Sequence, residues 1–144
     1  MGRNDIRLWT NLDGKLVSHF RLVEFENRDG LCMIDPRLLL GLEQLRQDLC
    51  EKYFKEISIK ITCALRTHKD NENLAAKLGW TDEGGSVSRT SKHLPEYGGI
   101  AADIYAYDEQ RQNLPSITVG AIAVKYFSFV KASYSDGHIH VDQR

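Results

Sequence analysis

The sequence predicts an α+β fold in which helices pack on a small, mainly antiparallel sheet. One stretch, DPRLLLGLEQLRQDLCEKYF, 35–54, has apolar residues at helical spacing. Three short segments either alternate polar and apolar residues or are small and apolar, as strands are. The chain has 144 residues and no repeat, low-complexity segment or linker. We therefore expect residues 1–144 to form one domain.

The first helix is marked by its start and by its apolar stripe. Asp35 can cap the free amides, and Pro36 suits the first helical position. The stripe recurs every three or four residues: Leu38, Leu42, Leu45, Leu49 and Tyr53. We expect this helix to pack on the sheet as scaffold.

Two further elements follow this helix. ISIKIT, 57–62, alternates as a half-buried strand does, which places Arg66 just past a strand end. DNENLAAKLG predicts a short helix that begins at Asp70 and ends at Gly79, where a left-handed cap costs least. WTDEGGSVSRT, which comes next, is a predicted loop.

The second half of the chain predicts two strands and a helix. GIAADIYAY, 99–107, has the composition of a buried strand. Helical spacing of apolar residues predicts a helix from about Thr118 to Phe129. GHIHVD, 137–142, alternates again, so its two histidines and its aspartate are expected on one face of a terminal strand.

Charge and composition exclude some classes of function. The formal net charge is -1 and the basic residues are spread along the chain, so we expect no nucleic-acid binding. No apolar run approaches a membrane span, and the start, MGRNDIRLWTNLDG, lacks the apolar core of a signal peptide, which predicts synthesis in the cytoplasm without membrane binding. Three widely spaced cysteines fit neither a disulfide framework nor a cysteine zinc cluster. We expect a monomer.

Histidine and aspartate residues in two segments form a candidate metal site. His93 and Asp103 flank a glycine-containing turn and the start of a strand, and the pair His138 and His140 arrives later on another strand. Catalytic zinc usually has three protein ligands of these types and one open position. Either pair alone is weak evidence, because surface histidines and solvated aspartates are common. Together they favour a metal site.

SKHL followed by GIAADI, and then HIHVD, resembles the zinc D-Ala-D-Ala carboxypeptidase family, whose pattern is SxHxxGxAxD with a later His or HxH. That family includes vancomycin-resistance dipeptidases and phage endolysins, and its fold is shared with the hedgehog signalling domain. HFRLVEF, DPRLLLGLEQLR and ALRT resemble its opening segment, first long helix and arginine-bearing strand. The resemblance covers most of the chain from about His19 onward.

The resemblance implies a role for each residue that matches the motif. His93, Asp103 and His140 would be zinc ligands, with His138 beside the metal. Arg66 would bind the carbonyl or carboxylate of the peptide. Ser91 would contact the substrate or support a ligand.

Two departures from the family pattern affect the site. LPEYGG, 94–99, implies an insertion of about one turn between the first two ligands, which a loop can absorb. Many relatives have a glutamate three residues before the last ligand as general base, and Gly137 stands there in this chain. His138 is our preferred proton acceptor, with Asp136 orienting or replacing it and Glu96 as a third candidate.

The resemblance implies a zinc peptidase that cuts peptides containing D-amino acids in bacterial cell walls, as a carboxypeptidase or an endolysin. Its substrate would be a peptidoglycan peptide or a D-amino-acid dipeptide, and a phage pore could release it to the wall. The alternative is a zinc-bearing binding module of the same fold. We interpret His68 as a surface residue, His19 as structural, and Trp80 and Cys63 as packing residues.

Overall fold

The computed structural model describes residues 18–144 and confirms the α+β prediction. The prediction made from the first fourteen residues lies outside the described part. No helix in the described part is long and apolar enough to cross a membrane. The helices are α1 (Pro36–Tyr53), α2 (His68–Leu78) and α3 (Ser116–Ala123), and the strands are β1 (Ser58–Cys63), β2 (Ala101–Tyr107), β3 (Phe129–Lys131) and β4 (Ile139–Asp142).

The four strands form one antiparallel sheet in the order β1-β2-β4-β3. Because side chains alternate along a strand, β2 and β4 each present one apolar and one polar face. Ala102, Ile104, Ile139 and Val141 are fully buried in the core. The opposite face carries the polar residues of these strands, and the candidate site lies there.

Helix α1 is the scaffold that the sequence predicts. The Asp35 carboxylate accepts a hydrogen bond from the Arg37 backbone at 2.8 Å, which caps the first turn. Leu42 and Leu45 are fully buried in the core that lines the sheet. Helix α1 contacts α3 and β1. Loss of its stripe would therefore expose the core face of the sheet, not the polar face.

Two predicted helix boundaries are wrong. Helix α2 begins at His68 instead of Asp70, because the Thr67 side chain accepts from the Asp70 backbone at 2.9 Å and thus caps the helix earlier. Helix α3 ends at Ala123 instead of Phe129.

The chain beyond α3 makes a turn and pairs as a strand. The Tyr126 backbone donates to the Ala123 carbonyl at 2.9 Å, a bond of the tighter turn type. Phe129 then pairs with Asp142 in the sheet. Pairing with β4 overrides the helical periodicity of this segment.

A β-bulge lies at the end of β1. Ile61 pairs with Ile104, but Cys63 pairs with Asp103, so the register shifts by one residue between them. The Thr62 hydroxyl donates to the Asp103 carbonyl at 3.3 Å within this irregularity. The bulge moves Cys63 to the polar face, beside Asp103.

The inserted residues form a compact turn. Pro95–Tyr97 is a short 3₁₀ helix, and Gly98 and Gly99 follow with φ of +78° and +77°. A Cβ on Gly99 would lie 2.2 Å from the Met33 carbonyl oxygen, and the Gly99 carbonyl accepts from the Asp35 backbone at 2.9 Å. Glycine lets the turn approach the start of α1 closely, which anchors the loop that carries His93.

Candidate metal centre

The three predicted metal ligands meet on the polar face of the sheet. His93 Nε2 and His140 Nδ1 each lie 3.1 Å from Asp103 Oδ1, and the two nitrogens are 3.2 Å apart. The register of the sheet brings two of the three residues together, because Asp103 on β2 is the pairing partner of His140 on β4. Both imidazoles are buried, with 4% and 8% of their residue surface exposed.

Hydrogen bonds fix the tautomer of each histidine. His93 Nδ1 lies 2.7 Å from the Ala64 carbonyl, which can only accept, so this nitrogen carries the hydrogen. His140 Nε2 likewise donates to Asp142 Oδ2 at 2.7 Å. The neutral rings therefore point the lone pairs of His93 Nε2 and His140 Nδ1 at Asp103 Oδ1. Three electron-pair donors in contact repel one another, so the centre requires a proton or a metal ion between them.

The electrostatics of the centre agree with this requirement. Burial alone would lower the pKa of His93, but hydrogen bonds with Asp103 and Cys63 raise it to about 10. Burial alone would raise the pKa of Asp103, but hydrogen bonds from His140 and His93 hold it well below its usual range. A metal ion that binds here must therefore displace a proton.

The donor set fits a metal ion. Cys63, His93 and Asp103 each offer a ligand atom, all within 4.8 Å of one another, and could hold a metal ion. The set with His140 in place of Cys63 is tighter, with separations of 3.1 to 3.2 Å. Ligands about 2.0–2.1 Å from a tetrahedral zinc ion would be roughly 3.3 Å apart.

Cys63 lies on another side of the same histidine. Its Sγ is 3.8 Å from His93 Nδ1, the nitrogen that donates to Ala64, whereas Nε2 faces Asp103. The two candidate ligand sets share His93 and Asp103. Cys63 therefore belongs to an alternative ligand set with His93 and Asp103, separate from the set that contains His140.

His138 lies beside the centre with its outer nitrogen held by Asp136. His138 Nδ1 is 2.6 Å from Asp136 Oδ1, which also accepts the His138 backbone N–H at 3.0 Å. These two hydrogen bonds lower the pKa of Asp136, so the carboxylate accepts and Nδ1 carries the hydrogen. His138 Nε2 lies 4.0 Å from Asp103 Oδ2 and presents its lone pair to the centre.

The turn before β4 explains how Asp136 reaches His138. Gly137 has φ of +86°, and its N–H donates to the Tyr134 carbonyl at 3.1 Å. A side chain at this position would be strained, because L residues rarely adopt such a φ. Gly137 is thus a turn residue, and the neighbouring Asp136 contacts the candidate base.

Aromatic rings enclose the two histidines of β4. Tyr134 stacks on His138, Tyr105 meets the same imidazole edge to face with centroids 6.4 Å apart, and Phe129 contacts His140 in the same way at 5.9 Å. These rings restrict the orientations that each imidazole can adopt.

Arg66 is held by neutral partners. Its Nη1 donates to Asn71 Oδ1 at 2.9 Å and to Ser91 Oγ at 3.4 Å, and its Nη2 lies 3.7 Å from Cys63 Sγ. Its backbone N–H donates to the His93 carbonyl at 2.9 Å. No carboxylate pairs with this guanidinium among residues 18–144. Arg66 is therefore a positioned cation next to the centre, and Ser91 contacts it directly.

His93, Asp103, His138 and His140 line one cleft of about 600 Å³. Near the metal centre, Arg66, Ser91, Lys131 and Tyr134 contribute to its lining. The cleft continues past α2 and the following loop, where it is lined by Leu74, Leu78, Val87, Ser88 and Thr90.

Glu96, the third candidate for the proton acceptor, is not brought to the centre. Its carboxylate lies 2.9 Å from the exposed His68, and neither residue lines the cleft. The 3₁₀ turn of the insertion directs Glu96 to the surface. His19 pairs with Glu43 at 2.6 Å, also outside the cleft lining.

Sequence reasoning assigned no site role to Asp142, Asn71, Tyr134 or Cys63. Asp142 shares the alternation of HIHVD with His140, so the pattern already placed it on the right face. Asn71 follows Arg66 by five residues, and Tyr134 precedes His138 by four, and neither spacing carries a signal. We expected Cys63 to pack in the core, and the bulge in β1 places it at the site instead.

Comparisons of this chain with protein-family models, with curated proteins and with solved structures find no match.

Proposed function

We propose that this protein is a zinc-dependent peptidase that cleaves peptides with D-amino acids in the bacterial cell wall. The observation that carries the proposal is the contact of three electron-pair donors in a cleft: His93 Nε2, Asp103 Oδ1 and His140 Nδ1. The oriented imidazole of His138 lies beside them. The residues support a metal-dependent hydrolase. The substrate class comes from the motif resemblance.

His93, Asp103 and His140 would hold the zinc ion. Their partners support this assignment, because a carbonyl and a carboxylate take the second nitrogen of each imidazole, as is usual for metal-binding histidines. When bound, zinc supplies Lewis-acid activation of a water molecule and of the scissile carbonyl.

His138 would transfer the proton. Its Nε2 accepts the proton of the attacking water and returns it to the leaving amine, while Nδ1–H remains bonded to Asp136. The Asp136 carboxylate stabilises the imidazolium formed between these steps, and its side chain stays 60% exposed. The pair replaces the glutamate of many relatives.

Arg66 would bind the negative charge of the substrate. Asn71 and Ser91 hold the guanidinium without neutralising it, so its charge is available to a carbonyl oxygen or a terminal carboxylate. A fixed cation at this place stabilises the oxyanion that develops during hydrolysis.

The proposal is tested by digestion of purified peptidoglycan with the zinc-loaded protein, the chelated protein and the His138→Ala variant. We expect zinc-dependent release of peptides, identified by mass, and strongly reduced release by the variant. No release by the zinc-loaded protein, or equal release by the chelated one, would contradict the proposal.

A second candidate function is a zinc-bearing binding module. The alternative ligand set with Cys63 favours it, because cysteine thiolates are typical ligands of structural zinc sites. Such a module would bind peptidoglycan fragments in sedimentation assays and leave them uncut in the same digestion.

A further inference from the structure

A row of four residues crosses the polar face of the sheet. Cys63 pairs with Asp103, Asp103 with His140, and His140 with Lys131 on the edge strand β3. Directly paired residues of neighbouring strands project from the same face. Lys131 is therefore the neighbour of a candidate metal ligand, on the side of the row away from Cys63 and Arg66.

The ammonium group of Lys131 contacts the aromatic ring of Tyr134. Nζ lies 4.7 Å from the centre of the Tyr134 ring, and the residue is exposed in the cleft. No carboxylate pairs with it in the part of the chain that the structure describes. Its three N–H donors are thus available to a ligand.

Arg144 lines the same cleft but, unlike Lys131, is paired with a carboxylate. Its Nε and Nη2 donate to the two oxygens of Asp142 at 2.9 and 2.7 Å, and its guanidinium lies 3.8 Å over the Phe129 ring. The charge of Arg144 is therefore balanced within the protein. Arg66, Lys92 and Lys131 line the cleft without a carboxylate partner among the described residues, and Arg66 and Lys131 lie on opposite sides of the metal centre.

We propose that Lys131 binds a carboxylate of the substrate, on the side of the scissile bond opposite to Arg66. This inference rests on the proposed peptidase function. A peptide offers carboxylates as its anions, either from acidic residues or from its C-terminus. The site therefore selects acidic peptides, with one anionic or carbonyl group at Arg66 and a carboxylate at Lys131.

Distances limit where this carboxylate lies. Neighbouring strands are about 4.8 Å apart, and an extended peptide advances roughly 3.4 Å per residue. Lys131 lies on the strand next to that of His140, directly opposite it. The carboxylate recognised by Lys131 thus belongs to a residue next to the scissile bond or to the one beyond it.

The test uses pairs of peptides that differ only by Glu or Gln, in the D or L form, at one position beside the scissile bond. For the wild type, we expect kcat/KM to be about tenfold higher for the acid than for the amide at one position, mainly through KM. Lys131→Met should remove this preference, and Lys131→Glu should reverse it, so that the amide becomes the better substrate. Lys52→Glu, the same charge change on the exposed side of α1, should retain the wild-type preference.

The ratio between paired peptides separates recognition from indirect effects. Loss of the Tyr134 contact in Lys131→Met would affect acid and amide equally, and only recognition of charge changes their ratio. Equal kcat/KM for acid and amide at every position, or a preference that survives in Lys131→Met, would overturn the inference. If the wild type cleaves no peptide, the proposed function fails. In that case, the ratio of calorimetric Kd values for the acid and amide peptides tests the role of Lys131 independently of cleavage.

Discussion

The Tyr134 ring stacks on the imidazole of His138, with centroids 3.8 Å apart and planes inclined by 21°. Asp136 holds one nitrogen of the same imidazole at 2.6 Å. The stack fixes the plane of the ring and the hydrogen bond fixes its rotation within that plane. His138 Nε2 is thereby directed at Asp103, where the proposed reaction needs a proton acceptor.

Replacement of Tyr134 by leucine should lower kcat for a peptide without an acidic residue beside the scissile bond, because a mobile imidazole is seldom aligned for proton transfer. KM for this peptide should stay nearly unchanged, since it offers no carboxylate to Lys131, the other contact of the Tyr134 ring. Tyr134→Phe retains the stack and should retain most of the activity. Steady-state kinetics of the two variants checks this, and Tyr134→Phe is the matched control because it retains the ring. Equal kcat values for the leucine and phenylalanine variants would rule out the stack as the cause.

Asp142→Asn should weaken zinc binding by about 10–100-fold. The Asp142 carboxylate is fully buried and accepts the His140 Nε2–H, so it fixes the tautomer that leaves Nδ1 free to bind metal. Competition with a chelator measures the affinity. Asp136→Asn is the matched control, since it alters the partner of His138 and should reduce turnover while zinc affinity stays unchanged. Equal zinc affinities of the two variants would contradict the assignment.

The metal-free protein should become less stable as pH rises from 6.5 to about 10. The pKa of His93 is raised from 6.5 to about 10, so the folded state holds a proton that the unfolded state releases. This contribution is fully present below the unfolded pKa and is lost as pH rises through the folded pKa. Urea unfolding of chelated protein at several pH values measures it, and His93→Gln should show a flatter profile. A wild-type profile as flat as that of the variant would contradict the prediction.

Arg66→Ala should reduce turnover on the order of 10²-fold, as loss of an oxyanion donor does. Zinc content should hardly change, because the side chain of Arg66 bonds to Asn71 and Ser91 and not to a proposed zinc ligand. The melting temperature should fall only modestly, because the buried Asn71 loses one hydrogen-bond donor. Arg89→Ala is the control, since Arg89 pairs with Asp82 and Glu83 outside the cleft lining. Undiminished cleavage by Arg66→Ala would eliminate its role and weaken the peptidase proposal.

Helix α1 and the central strands could be predicted because their local signals agree with their tertiary contacts. The leucine stripe of α1 is the buried face of the helix, and Asp35 caps it as expected. The alternation of HIHVD places His140 and Asp142 together, as the hydrogen bond between them requires.

Other features depend on pairing that the sequence does not encode locally. Strict alternation would place Cys63 on the core face with Ile61, and only the bulge moves it to the site. The apolar spacing after Val119 continues to Phe127, which is buried, although the helix ends at Ala123. A turn can bury the same residues as a helix, so periodicity could not locate the boundary.

The central claim is that His93, Asp103 and His140 hold one zinc ion per chain. Elemental analysis of the wild type, His140→Ala and Cys63→Ser tests it most directly, because the two candidate ligand sets differ only in these residues. We predict one zinc per chain in the wild type and in Cys63→Ser, and large loss in His140→Ala. Full zinc content in His140→Ala, with loss in Cys63→Ser, would contradict the account.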